Sequence, residues 1–515
     1  MEYSPLSRIG CGQGGILLPR KMPIFYSALM LTMVNLLLRM VGTGFQVYLS
    51  RTIGAAGIGL LQLVMSVGSL AMVAGIGGIR TATMYLTAEE LGKGKPKNVT
   101  WILSGCFLYS ILFSGTVAAA LYVFAPQLAA YWIGDDRTVD ALRLFSSFLP
   151  LSCLCGVMTG YFIAANRIGT LALIEVAEQL CSMTATVALL LTRAGSDPVQ
   201  ACLCVILGNS VGMCLTLACL VILRIRDASV PEERIPVRKR LMATALPLAL
   251  ADDLKSGIST AENLMVPKRL YLNSSVADPL SAFGLVSGMV FPVMMFPAAI
   301  LFGLTELLIP ELARCNAGEK WVRIRYLVKK SLHIVIIYGI CFGGLIFMLS
   351  EDLCILLFKS NEASRFLRMY ALMIPCLYCD IITDAMIKGL GQQQVSVRYN
   401  ILTSFLDVVF LYALLPKYGM GGYFFSFAIT HLLNFFLSIR RLIRISGVRV
   451  PCSVPVLCSL CAFLSVWAAG HLQQMLLRGI SYLLILFCLL FLTGVLGSQD
   501  IRWFRGLVAG RKILR

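Results

Sequence analysis

The sequence predicts an all-α polytopic membrane protein: about fourteen transmembrane helices, two six-helix lobes related by a pseudo-twofold in a parallel repeat around a central cavity, and two further C-terminal helices. Three observations predict it. Of 515 residues, 58% are apolar and only 14% are charged, against about 25% charged in an average soluble domain. Apolar runs of about 20 residues, the length that spans a bilayer, recur along the chain. The chain also resembles itself at an offset of 225 residues. This composition excludes a soluble enzyme, a disordered chain and a secreted disulfide scaffold.

Residues 1–21 are weakly apolar and Gly-rich, with Arg8, Arg20 and Lys21. They lack the small-residue cleavage site of a signal peptide and read as a cytoplasmic extension, with Met22 as an alternative start. The N-lobe, 22–225, holds runs at 23–47, 57–79, 99–124, 143–166, 170–192 and 199–223. A cytoplasmic basic linker, 226–240, follows. The C-lobe, 241–445, holds runs at 241–266, 281–309, 328–350, 367–387, 396–415 and 421–439, the first of them the least apolar. Two additional runs, 452–470 and 478–497, occupy 446–498, and a basic cytoplasmic tail covers 499–515.

The loops fix the orientation. With the N-terminus inside, and residues at the very ends of a run counted with the adjoining loop, 31 of the 44 basic residues fall in inner segments and 11 in outer ones, while Arg39 and Lys255 lie within spans. The positive-inside rule then puts both termini in the cytoplasm of a multi-pass cell-membrane protein. It also accounts for the net charge of +18 without a nucleic-acid partner.

Two places carry the repeat. FLPLSCLCGVMTGYFIAAN with Pro150 matches MIPCLYCDIITDAMIKGLG with Pro375, and AGIGLLQLV with Gly59 and Leu60 matches SAFGLVSGM with Gly284 and Leu285. Six helices per copy is an even number, so both copies insert the same way round and face each other across a cavity.

Charged groups at membrane depth cost about 2.5–3.5 kcal/mol on insertion scales and need a cavity or a partner. At 100° per residue, the seventh run gathers Asp252, Lys255, Ser256, Ser259, Glu262 and Asn263 on one face. Asp252 and Lys255 are spaced to pair. The first run gathers Thr32, Asn35, Arg39, Thr43 and Gln46. Arg39 either snorkels to headgroups or offers a bidentate fork to an anionic, diphosphate-bearing substrate. The candidate substrate-binding cavity residues are therefore Arg39, Asn35, Lys255, Asp252, Ser259, Glu262 and Arg80, although an interfacial role is the plainer reading for Arg80 and for Glu306.

The fifth run carries Glu175, Glu178, Gln179, Ser182 and Thr186 on one face; the tenth carries Asp380 and Asp384, with Lys388 a turn on; the eleventh carries Asp407. Glu175, Glu178, Asp380, Asp384 and Asp407 either bind a coupling cation or proton or offset the buried cations. FPVMMFP, with Pro292 and Pro297, bends the eighth run, as a gate or as a static kink.

The 18 Cys lie mostly in apolar runs and read as small buried hydrophobes. The C-x-x-C pairs Cys376/Cys379 and Cys458/Cys461 lack nearby polar ligands, so no metal or cofactor is expected. Neither a G-x-x-x-x-G-K-[ST] nor an H-E-x-x-H motif occurs, which argues against ATP-driven transport and against an enzyme.

Three segments carry a resemblance. LLLRMVGTGFQVYLSRTIGAAGIGLLQLVMSV at 36–67, FGLVSGMVFPVMMFPAAILFGLTELLIPELA at 283–313 and GLGQQQVSVRYNILTSFLDVVFLYALLPKYGMGGYFFSF at 389–427 resemble the stage V sporulation protein B-like family of lipid-linked polysaccharide flippases, in the multidrug/oligosaccharidyl-lipid/polysaccharide exporter superfamily. The resemblance covers both lobes. It implies a V-shaped two-lobe fold of fourteen helices. It also implies movement of a lipid-linked sugar, a peptidoglycan precursor on undecaprenyl diphosphate, in spore cortex or cell-wall synthesis. Arg39 and Arg80 match by position the arginines that related flippases need, and the last two helices match a groove for the lipid tail. ADDLKSGISTAEN, at 251–263, is more charged than the family pattern.

The expected function is thus a flippase for a lipid-linked oligosaccharide working by alternating access. Its partners would be the lipid-linked sugar, membrane lipids, a coupling cation or proton, and cell-wall synthases. The alternatives are an ion-coupled multidrug/cation antiporter of the same superfamily and a non-transporting scaffold for cell-wall synthases.

Overall fold

The computed structural model describes residues 24–497 apart from 77, 93–95, 166, 195–196, 227–236, 275 and 449–452. Side chains are described except at 24–33, 35, 92, 96, 168, 193–194, 226, 237–240, 242–252, 255, 306–307, 310 and 317. The expected N-terminal extension, most of the basic linker and the tail therefore lie outside the described residues.

Every regular element among the described residues is helical. The N-lobe comprises α1 (Ile24–Ile76), α2 (Ile79–Gly92), α3 (Val99–Gln127), α4 (Val139–Ala164), α5 (Ile168–Leu189) and α6 (Pro198–Arg226). The C-lobe comprises α7 (Val237–Leu270), α8 (Pro279–Gly284), α9 (Phe291–Met295), α10 (Ala298–Ala317), α11 (Trp321–Phe358), α12 (Asn361–Ala371), α13 (Ile374–Gly389) and α14 (Gln393–Ser446), followed by α15 (Ser453–Ala469) and α16 (Met475–Leu492). The fourteen apolar runs fall within these helices but not one to one: the first two share α1, the eleventh and twelfth share α14, the eighth is broken across α8, α9 and α10, and the tenth across α12 and α13. Among the described residues, eight helical stretches are long and apolar enough to cross a membrane, or ten if each of two bent pairs is one span. The charged α7 falls short of that apolarity.

Two expected loops are instead glycine kinks. Helix α1 runs through 53 residues, which would extend about 80 Å if straight, far beyond a hydrocarbon core of about 30 Å. It breaks at Gly54, with φ 71° and ψ 177°, where the first and second runs part. Helix α14 breaks the same way at Gly419, φ 54°. A left-handed φ is open to glycine and strained for most other residues.

The repeat predicted at 225 residues appears as a reciprocal contact between the lobes. A Cβ on Gly59 would come 2.4 Å from the Leu280 carbonyl oxygen, and one on Gly284 would come 2.0 Å from that of Ala55. Adding 225 to 55 and 59 gives 280 and 284, so the pseudo-twofold runs through this crossing. A continuous buried core extends from it into both lobes, with Ile58 and Leu63 on α1, Phe283 on α8, and Tyr370 and Tyr378 on α12 and α13. Helices α15 and α16 pack on α11 around Tyr482, whose hydroxyl donates to the Cys341 carbonyl at 3.0 Å.

Candidate functional site

The seam between the lobes is formed by α1 on one side and α7, α8 and α10 on the other. The turn Leu285–Val290 after α8 is π-helical, and Pro292 follows it. Proline has no N–H to give the carbonyl four residues back, which here is that of Gly288. Gln46 of α1 supplies the missing donor: its Nε2 donates to the Gly288 oxygen at 3.2 Å. The expected polar face of the first run thus reaches across the seam.

The bend in the eighth run is 62° and is braced. Tyr378 donates its hydroxyl to the Met294 carbonyl and Tyr338 donates to that of Pro297, both at 2.7 Å. Two hydroxyls on carbonyls at the break favour a fixed corner over a flexing gate.

One turn before Thr43 and two before Gln46, Arg39 extends over the Phe302 ring of α10, 4.2 Å from its centroid. The residue is exposed. Among the described residues no carboxylate pairs with it. The side chains of Asn35, Asp252 and Lys255 lie outside those described. Arg80 is exposed at the start of α2, where its backbone presses on Gly160 of α4.

On α5 the polar face divides. Glu178 accepts from Thr216 of α6 at 2.7 Å, and Gln179 donates to the Leu38 carbonyl of α1 at 3.0 Å. Ser182 and Thr186 are buried where α6 places Gly212 and Gly208 against them. That half of the stripe is a close helix-packing seam. Glu175 is half-buried one turn earlier.

The C-lobe acids form a chain. Asp407 accepts from Ser426 at 2.6 Å and from Thr430 at 3.2 Å, both beyond the Gly419 kink on α14. Asp380 accepts from Asn434 at 2.9 Å, and Asn434 also donates to Asn400 at 3.1 Å. Asp384 pairs with Lys388 at 2.6 Å and accepts from Ser396. Glu262 is half-buried and Ser259 exposed on α7, while Thr260 and Asn263 bind Ser66 of α1. Glu262 Oε1, Asp380 Oδ1 and Asn434 Oδ1 are buried without a hydrogen-bond partner among the described residues. Three orphan acceptors in one lobe can take a cation, protons or water.

Sequence reasoning missed Gln46 as a carbonyl donor, the tyrosine braces, and Ser426, Thr430 and Asn434 as partners of the acids. The last three were recoverable, since they recur at i, i+4 and i+8 on one face of the twelfth run.

The family described as polysaccharide biosynthesis protein matches residues 25–251, and the family described as MatE matches 268–413. Stage V sporulation protein B of Bacillus subtilis (strain 168) is 20% identical over 78% of this chain and 80% of its own length. Among solved structures, the lipid II flippase MurJ in its inward closed conformation superposes with a TM-score of 0.67 at 13% identity, over 90% of this chain and 98% of that one. A multidrug resistance MATE family transporter of the MOP superfamily, inward-facing, superposes with a TM-score of 0.62 at 13% identity, over 82% of this chain and 98% of that one. At such identities these likenesses show the fold alone: two helical lobes of a multi-pass membrane protein.

Proposed function

We propose that this chain, a homologue of stage V sporulation protein B within the multidrug/oligosaccharidyl-lipid/polysaccharide exporter superfamily, flips a lipid-linked oligosaccharide across the cytoplasmic membrane. The substrate we assign is a peptidoglycan precursor on undecaprenyl diphosphate, used in spore cortex or cell-wall synthesis. Both termini lie in the cytoplasm on this reading. The N-lobe is 22–225 and the C-lobe 241–445. Residues 446–498 form an added pair against the C-lobe.

The observation that carries the proposal is Arg39. It is a cation on a membrane helix, at the seam of the lobes, stacked on Phe302 and paired with no carboxylate among the described residues. An internal salt bridge would have neutralised it. An unpaired guanidinium at that depth is stabilised by binding the diphosphate of a passing substrate. The C-lobe acids supply the second element. Orphan acceptors on Glu262 and Asp380, with Asp407 beside Ser426 and Thr430, suit a coupling cation or proton whose binding biases the lobes. Asp384, already held by Lys388, is the least suited of the acids. No catalytic step is assigned.

The test is reconstitution of the full chain in vesicles with a labelled undecaprenyl-diphosphate sugar. The wild type moves it between leaflets, and Arg39→Ala inserts normally but does not. Transport at the wild-type rate by Arg39→Ala would remove Arg39 from the path. Export of organic cations, with no lipid movement, would favour the antiporter.

A further inference from the structure

A second cationic feature lies away from Arg39. At the end of the bundle where α3 and α7 finish, a cavity of about 590 Å³ opens between α1, α7, α14 and the turn after α3. Its wall holds Trp132, Thr260, Leu264, Lys268, Arg269 and Tyr412, and among the described residues no acidic one lines it. The Arg269 guanidinium stacks on the Tyr412 ring, 3.3 Å from the centroid. Stacking occupies the face of the guanidinium and leaves its in-plane N–H donors without an acceptor among the described residues. Lys268 likewise has no carboxylate partner there. Interfacial Trp, Tyr, Lys and Arg commonly anchor helices at headgroup level. Such anchors project outward singly, whereas these four converge on one concave space whose other walls are apolar.

We propose that this cavity binds the phosphate of an amphiphile, with Lys268 and Arg269 as the anion contacts, Tyr412 holding the guanidinium in plane, and the Leu264 side taking the first part of the lipid chain. Two sources share that chemistry: the diphosphate of the lipid-linked substrate leaving the seam, or a resident phosphoglycerolipid. The first rests on the transport reading above; the second does not. On the orientation expected from the basic residues, this mouth faces outward. The site would then hold a headgroup that has finished crossing.

The experiment uses the full chain in phosphatidylcholine vesicles, with two photoreactive probes: a polyprenyl diphosphate and a phosphatidylglycerol. Labelled peptides are identified by mass spectrometry. Labelling is expected on 257–272 and near Tyr412, and it should fall about tenfold or more in Lys268→Gln/Arg269→Gln, as loss of charge-assisted hydrogen bonds implies. Lys268→Arg/Arg269→Lys should keep most of it, which separates lost charge from lost fold. Preference for the polyprenyl probe identifies an exit site, and preference for phosphatidylglycerol a resident lipid. Equal labelling in the Gln pair and the wild type overturns the proposal. If wild-type vesicles move no lipid-linked sugar while labelling stays charge-dependent, the transport reading fails and the site stands. If transport depends on Arg39 while labelling ignores Lys268 and Arg269, the site fails alone.

Discussion

In the N-lobe, Pro150 sits inside α4, a helix continuous from Val139 to Ala164. Its C-lobe counterpart 225 residues on, Pro375, follows a 56° bend between α12 and α13. The neighbouring helix explains the difference. Helix α11 offers Gly339 and Gly343, and a Cβ at Gly339 would stand 2.9 Å from the Pro375 Cα. At the matching positions α3 has Ser114 and Ala118, which leave no notch for a proline corner. A similar exchange occurs at the ends. The N-lobe kinks at Gly54 where the C-lobe has a loop capped by Asp278 before Pro279, and the C-lobe kinks at Gly419 where the N-lobe has the turn Leu190–Ala194. One duplicated helix plan thus tolerates different breaks. The lobe with the bent helices also holds the longer chain of half-buried acids, with Ser426, Thr430 and Asn434 beyond the kink turned back onto Asp407 and Asp380.

The largest effect is expected where the lobes are most alike. Gly284→Leu drives a side chain into the Ala55 carbonyl, and Gly59→Leu meets Leu280 in the same way. Overpacking of this kind costs about 1–3 kcal/mol and more where backbone is the obstacle. Both variants should lose folded yield and Tm in detergent to a similar degree. A wild-type Tm for either one breaks the reciprocal contact.

Next comes the difference between the lobes. Gly339→Ala presses on Pro375 and should lower Tm by an amount reflecting about 1–3 kcal/mol. Ser114→Ala, at the matching N-lobe position, loses the hydroxyl's bonds to the Ser110 carbonyl and the Cys153 thiol and should cost about 1 kcal/mol. Equal losses would mean that the notch does not set the bend.

Comparable in size are the braces. Tyr378→Phe leaves the Met294 carbonyl unsatisfied, a loss of about 1–3 kcal/mol. Tyr338 packs 5.8 Å from it, centroid to centroid, so the double Phe variant should depart from additivity in a thermal-unfolding cycle. Strict additivity would show two independent hydrogen bonds and no shared corner.

The smallest is a pH effect confined to the N-lobe. In the loop between α3 and α4, the Arg137 side chain beside Asp135 holds that carboxyl below its ordinary value. A depressed folded pKa stabilises above the unfolded value, about 3.9, and the gain disappears as pH falls through the lower folded one. Arg137 is 65% exposed, so the contribution is well under about 1 kcal/mol. Asp135→Asn should flatten a slight fall in Tm on acidification below about pH 4 and leave the neutral-pH Tm nearly unchanged.

What the sequence made legible follows from period and length. Apolar runs and the offset between Pro150 and Pro375 are properties of the chain itself, so the helices and the duplication could be read directly. The junction at Gly54 could not, because a glycine kink and a short loop look alike in an apolar sequence. On α5, Ser182 and Thr186 share a face with Glu178, yet Gly208 and Gly212 of another helix turn them into packing residues. Gln46 acts on the carbonyl that Pro292 leaves without a donor, and Tyr338 and Tyr378 act on carbonyls at the corner between α9 and α10; all three partners are far away in sequence, and no local pattern announces that. Arg39 stood out because a lone charge inside an apolar run is costly wherever it folds. Arg269 did not, since a basic residue at a helix end is ordinary until Tyr412 and the cavity are seen beside it.

On the flippase reading proposed above, the two lobes move against each other about the Gly59–Gly284 crossing while Arg39 holds the substrate. The direct measurement is a pair of interlobe distances by pulsed electron paramagnetic resonance, with spin labels carried on non-natural amino acids so that the 18 Cys are left alone. One pair sits at Tyr131 and Tyr271, and the other at Thr81 and Arg314. Adding an undecaprenyl-diphosphate sugar should change the two distances in opposite senses, and Arg39→Ala should abolish the response. Distances that stay fixed in the wild type, or move equally in Arg39→Ala, would contradict the account.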